Sequence, residues 1–225
     1  MGYDDGIELK HRRTANSKHY WHGSDNFTMV ASKQPMHWED EDGNLHDVDC
    51  SIIDGRVDKT FYKAELLTDK IGYRVYARKD NSKIDMILDK IDGVYIPYTI
   101  YTTISGNKAI WEDITPDLDV MIEFVDRNIL VWRRIKSDKA AREVEFIVRE
   151  DDEEERKAVA SSKAFGYDAD GKVVKATAEI TNEKNEDGIH SYTLKERWTG
   201  EVVVLDEKTR VKSLSQDVSY PVLLK

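Results

Sequence analysis

Residues 37–49, HWEDEDGNLHDVD, bring six carboxylates and two histidines into thirteen positions. Residue types of this kind serve two chemistries, oxygen ligation of a hard cation and acid–base work by paired carboxylates. An EF-hand loop opening at Asp40 would place Asp42 and Asn44 at its third and fifth positions. It would also need Gly at the sixth and Glu at the twelfth, where Leu45 and Ser51 stand. The EF-hand pattern therefore fails, and Asp40, Asp42 and Asn44 stand as a candidate calcium site of another kind. A hairpin explains more of the stretch. Trp38 and its neighbours form one strand, Asp42-Gly43 the turn, and residues 45–49 the return, with the acids and His46 as the wet row.

Other candidate chemistry is thinner. Five of the six histidines precede residue 47, and His19-Tyr20-Trp21-His22 has the look of a metal pair. In a strand, residues three apart point to opposite faces, and no second histidine pair or cysteine set completes a tetrahedral site. The chain has no G-x-S-x-G elbow, H-E-x-x-H helix, P-loop or G-x-G-x-x-G fingerprint. A β-sandwich glycosidase needs two inward carboxylates, and forty-four acids offer no way to single out a pair. Trp21, Trp38, Trp111, Trp132 and Trp198 would line a sugar platform or, as in most sheets, pack. Cys50, the lone cysteine, sits near Ile52 and Ile53 among acids, which suits a small buried residue rather than a reactive thiol. No cofactor is expected, and the chain reads as non-enzymatic.

The elements that would position these residues have period two. Val144, Phe146 and Val148 alternate with Glu143, Glu145 and Arg149, and Val174, Ala176, Ala178 and Ile180 with Lys175, Thr177 and Glu179. Tyr192, Leu194 and Trp198 form a further row, as do Val120, Ile122 and Phe124, and Ile71, Tyr73 and Val75. Such alternation defines half-buried antiparallel strands. Six of the twelve glycines follow Asp, the pairing that suits tight hairpin turns. The expected fold class is all-β, an antiparallel, jelly-roll-like β-sandwich. Residues 15–225 are expected to form one sandwich domain, with a sub-lobe boundary near 150–163. That run opens with six consecutive acids and continues with helix formers, which predicts a short surface helix. Residues 1–14 show no sustained pattern and read as an N-terminal arm. Its basic residues Lys10, Arg12 and Arg13 are the candidate partner-binding positions.

Charge and hydropathy narrow the partners. Thirty-four Lys and Arg against forty-four Asp and Glu leave a net charge of −10, which argues against nucleic acid. There is no apolar run of membrane-spanning length and no apolar h-region at the N-terminus, so neither a membrane span nor a secretory signal is expected.

Three stretches carry a resemblance. Arg13-Thr14-Ala15-Asn16-Ser17-Lys18 with FTMVASKQPMHWEDEDGNLHDVD is the first, and IWEDITPDLDVMIEFVDRNILVWRRIKSDKAAREVEFIV the second. VVVLDEKTRVKSLSQDVSYPVLLK closes the chain. Together they resemble a β-rich module of tailed-bacteriophage virion proteins, also seen in Rhs-like and wall-associated bacterial surface proteins. The matching features are turns and strand faces, so no catalytic residues come with them. The resemblance implies a structural virion protein, a head decoration, head-fibre base or tail accessory component, made in the host cytoplasm. Its expected partners are other virion proteins and further copies of itself, a trimer among the options. The alternative from another class is a carbohydrate-binding or glycan-cleaving sandwich module.

Overall fold

In the computed structural model, which describes residues 6–78, 82–96, 101–150, 166–184, 190–205, 212–216 and 218–224, the alternating rows become strands and the fold is all-β. Among these residues the one helical element is a 3-10 turn at Lys10–Arg12, and no helix is long and apolar enough to cross a membrane. The surface helix expected near 150–163 falls largely outside the described residues, beyond the strand end at Glu150.

The chain begins with a three-stranded antiparallel sheet, β1 (Ile7–Glu8), β2 (Ser17–Trp21) and β3 (Phe27–Ala31). A hairpin follows, β4 (His37–Glu39) and β5 (Leu45–Asp47). The fifteen further strands form one curled antiparallel sheet. They begin with a meander of β6 (Arg56–Val57), β7 (Tyr62–Leu66), β8 (Gly72–Ala77) and β9 (Lys83–Ile91), with the short β10 (Val94–Tyr95) beside β9. A second meander holds β11 (Thr103–Ser105), β12 (Lys108–Thr115), β13 (Leu118–Val125) and β14 (Asn128–Ile135). Then come β15 (Glu143–Glu150), β16 (Gly166–Tyr167), β17 (Val173–Lys184), β18 (His190–Leu205), β19 (Lys212–Ser215) and β20 (Val222–Leu224). The main path across the sheet is β11-β12-β13-β14-β20-β16-β17-β18-β15-β9-β8-β7-β6, so the two meanders are its ends.

A twisted sheet this wide must curl or split to bury its apolar face. Here it curls until its ends meet, which makes the fold sandwich-like. Tyr73 on β8 packs edge-on against Phe124 on β13, with ring centroids 6.1 Å apart. The Tyr62 hydroxyl on β7 donates to the Asn128 carbonyl at 3.2 Å, and the Ile52 amide donates to Gly106 in the β11–β12 turn at 2.9 Å. Between the facing halves lies one core. It joins Trp111, Val120, Ile122 and Phe124 to Tyr73, Leu88, Val144, Phe146, Leu194 and Trp198, and therefore draws on strands both before and after 150–163. The outer rows carry cross-strand charge pairs: Glu145 faces Lys90 and Lys195, and Arg74 faces Asp85. Asp-Gly turns behave as their chemistry dictates. Asp54-Gly55 and Asp92-Gly93 hold both central residues at positive φ, the conformation that matches strand twist in two-residue hairpins.

Two charges interrupt the inward rows. Arg133 stands between Val131 and Ile135 on β14, and Glu196 between Leu194 and Trp198 on β18. Both are buried and form an ion pair inside the curl, where the guanidinium also lies 5.8 Å from the Phe146 ring centroid. Burial pulls Glu196 above the ordinary carboxylate value, and the attraction of Arg133 opposes it. Burial likewise lowers Arg133, against the pull of Glu196. A buried pair contributes little net stability, but orphaning one partner is expensive. Arg133→Met or Glu196→Gln alone is expected to cost about 3–5 kcal/mol in urea denaturation, whereas R133M/E196L together should cost less than either. A double variant no better than the singles would contradict the pairing.

A candidate interaction surface on the N-terminal sheet

Register assigns the faces of the N-terminal sheet. Ile7 pairs with Trp21, Trp21 with Phe27, and His19 with Met29, so these side chains share one face. Glu8, Lys18, Tyr20, Thr28 and Val30 occupy the other. On the first face Ile7, Phe27 and Met29 are each more than half exposed, and Trp21 is 37% exposed. Single exposed apolar residues need no explanation, but four on one small sheet make a contiguous patch of the kind that marks an interface. The Trp21 indole donates to the Ser24 carbonyl at 2.8 Å, and the Arg12 guanidinium lies 5.5 Å above the Phe27 ring. The surroundings are basic. Residues 6–36 hold five Lys or Arg against two acids, in a chain where acids outnumber bases 44 to 34.

The second face is turned toward the β4–β5 hairpin by Arg13. Its Nε and Nη2 donate to the two carboxylate oxygens of Glu8 at 2.6 and 2.7 Å, and Nη2 also reaches Asp47 at 2.9 Å. Lys18 closes on the other Asp47 oxygen at 2.5 Å. The Arg13 bond holds the Glu8 carboxyl below its usual range, and Glu8 in turn raises Arg13. Burial works to raise Asp47, but the bonds from Lys18 and Arg13 outweigh it and leave it lowered. Buried His37 donates through Nδ1 to the Thr14 carbonyl at 2.9 Å, and the Met36 and His37 amides both reach the Ala15 carbonyl.

These contacts tie down residues 6–14 of the expected N-terminal arm. From Gly6 to Thr14 the chain is strand β1 and a 3-10 turn fastened to β2 and the hairpin, while residues 1–5 lie outside the described residues. They also divide the expected partner-binding set. Lys10 and Arg12 are exposed, but the Arg13 side chain is only 6% exposed and already holds Glu8 and Asp47. The hairpin passes the attachment on to the main sheet. Trp38 stacks on His46 at 4.6 Å, the Arg78 guanidinium lies 3.8 Å above Trp38, and the Asp49 amide donates to Lys59.

The other candidates resolve into structural partners. The hairpin expected at Asp42-Gly43 is present, with Gly43 at φ 81. Asp40 is its cap. One carboxylate oxygen accepts the amides of Asp42 and Asn44 at 3.0 and 2.8 Å, the other accepts His46 Nε2 at 2.7 Å, and the Asn44 side-chain amide contacts both. Both oxygens of Asp40, the first residue of the candidate calcium set, therefore already receive N–H donors. Among the described residues no group of three or more His, Cys, Asp or Glu side chains is placed to hold a metal ion. His19 lies 3.3 Å from Ser17 Oγ and His22 3.0 Å from Thr28 Oγ1, so the two diverge to separate partners. Trp111 and Trp198 are buried, and Trp132 donates to Glu123, which leaves no row of tryptophans for a sugar. Besides Glu196, the buried acids among the described residues are likewise engaged: Asp119 by Arg134 and Lys136, Glu145 by Lys90 and Lys195, Asp168 by three backbone amides. The Cys50 thiol accepts the Asp126 amide at 3.1 Å, and burial pushes its pKa up.

The Asp40 cap gives a test with a definite sign. The His46 bond, reinforced by Asn44, pushes the Asp40 carboxyl from 3.8 down to about 2. A depressed carboxylate stabilises the folded state above its unfolded pKa and loses that contribution as pH falls through the folded value. NMR titration should therefore find the Asp40 midpoint near 2 and the hairpin loosening only as pH drops from 3.8 toward it. Added calcium should leave the melting temperature unchanged; a clear rise would restore the metal site.

Compared with known proteins, the chain matches no protein-family model, no curated protein and no solved structure.

Proposed function

We propose that the protein is a non-enzymatic structural component of a tailed-phage virion, a capsid decoration or head or tail accessory protein that binds other virion proteins. The observation that carries this reading is the exposed apolar face of Ile7, Trp21, Phe27 and Met29, held outward by the Arg13 fork. Such a face is costly to leave in water, and covering one large apolar side chain contributes about 1.5–3 kcal/mol. The resemblance of the three sequence stretches to virion modules supplies the setting. An all-β body whose buried acids and half-buried Cys50 thiol serve the fold suits a protein that works by being bound. The glycan alternative loses support, since Trp111 and Trp198 are buried, Trp132 is bonded to Glu123 and Trp38 lies under Arg78, which leaves Trp21 as the one exposed tryptophan.

Mass spectrometry of purified particles of the source phage tests the reading. The chain should appear among the structural proteins, and its absence from intact particles would contradict it. A variant with Phe27→Asp and Met29→Asp should keep its far-UV circular dichroism and melting transition yet drop out of the particles.

A further inference from the structure

We infer that the apolar face of the N-terminal sheet docks on a second copy of this chain, head to tail, in the groove beside β10. This rests on the reading of that face as an interaction surface and names its occupant. The chain carries a second exposed apolar site. Among the described residues strand β10 pairs with β9 alone, off the main path of the sheet, and its Val94 and Tyr95 are each 69% exposed. Beside them Ile96, Ile114 and Pro116 line a groove of about 420 Å³. A smaller groove continues from Tyr95 and Ile96 toward β8 and β9.

Charge decides what fits there. The two grooves together are lined by Asp69, Asp89, Asp92 and Asp117 against Lys70 and Lys139, with Lys90 over the Tyr95 ring, so that acids outnumber bases by four to three around an apolar floor. The N-terminal sheet is the converse: with Arg13 and Lys18 taken up by Glu8 and Asp47, the exposed charges over residues 6–36 are Lys10, Arg12 and Lys33 against Asp25. Two N-terminal faces brought together would oppose Lys10 and Arg12 to their own copies, and two grooves would oppose carboxylates. Only face against groove sets unlike charges around a shared apolar centre. Because face and groove are different surfaces of one chain, the contact is heterologous and repeats from copy to copy until a ring closes or a filament forms.

A complementation experiment reads this directly. The face variant carries Phe27→Asp and Met29→Asp; the groove variant carries Val94→Lys and Tyr95→Lys. All four positions are exposed, so both variants should melt as the native chain does. Sedimentation velocity is expected to find native protein in species larger than a dimer, weakened by added salt. Each variant alone should be the 26.0 kDa monomer. Mixed, the two should form a dimer and nothing larger, since one intact face meets one intact groove. A native chain that stays monomeric at high concentration, a groove variant that assembles normally, or a mixture that stays monomeric would each overturn the inference. If the native chain is monomeric while the face variant still fails to enter virions, the self-contact is wrong and the face remains a site for another virion protein.

Discussion

The Arg13 fork on Glu8, shared with Asp47, sets the orientation on which the exposed surface depends. Exposed ion pairs contribute little, about 0–1 kcal/mol. This one is bidentate and holds an Arg13 side chain that is only 6% exposed, and bidentate charged hydrogen bonds are among the strongest. Its consequence follows from strand parity. Glu8 and Lys18 lie on the same face of the N-terminal sheet, so satisfying Arg13 and Asp47 turns that face toward the hairpin. Ile7, Trp21, Phe27 and Met29 are then committed to the opposite side. A slip of one residue would reverse the assignment and bury the apolar row.

The hairpin and the curled sheet make that orientation rigid. Trp38 lies between His46 and Arg78, which fixes the hairpin to the body, and the body is closed by contacts between its own ends. Arg133 and Glu196 span the interior from β14 to β18 and admit one alignment of the facing halves, because a displaced partner would leave a charge alone in the core. The molecule is thus an acidic, closed platform that carries a small basic sheet with one apolar side.

Much of this was legible in the sequence. Rows such as Val144-Phe146-Val148 and Val120-Ile122-Phe124 alternate cleanly because each strand has one wet side, and they are buried as expected. The Asp-Gly turns and the 37–49 hairpin were readable for the same local reason. Arg13 was not, because a basic cluster in sequence reads as solvent-exposed charge. Its partner Asp47 lies 34 residues away, and Glu8 comes within reach only through the 3-10 turn. Strand β1 was missed because two residues are too few for alternation to register, and β2 and β3 because their exposed row carries Trp21, Phe27 and Met29, so that no polar side marks them as strands. The Arg133–Glu196 pair did leave a signal, one charge in each of two otherwise apolar inward rows, and of opposite sign. Carboxylate density at 37–49 misled toward chemistry because composition does not reveal which oxygens the backbone has already taken.

Oxidative footprinting of Met29 in the free protein and in the proposed virion assembly tests the central claim most directly, that the N-terminal sheet presents its apolar face for another protein to cover. Met29 is open to solvent in the isolated chain and should oxidise readily there. In assembled particles its oxidation should be strongly suppressed. Equal rates in the two states would contradict the claim, since the face would then be as exposed in the particle as in solution.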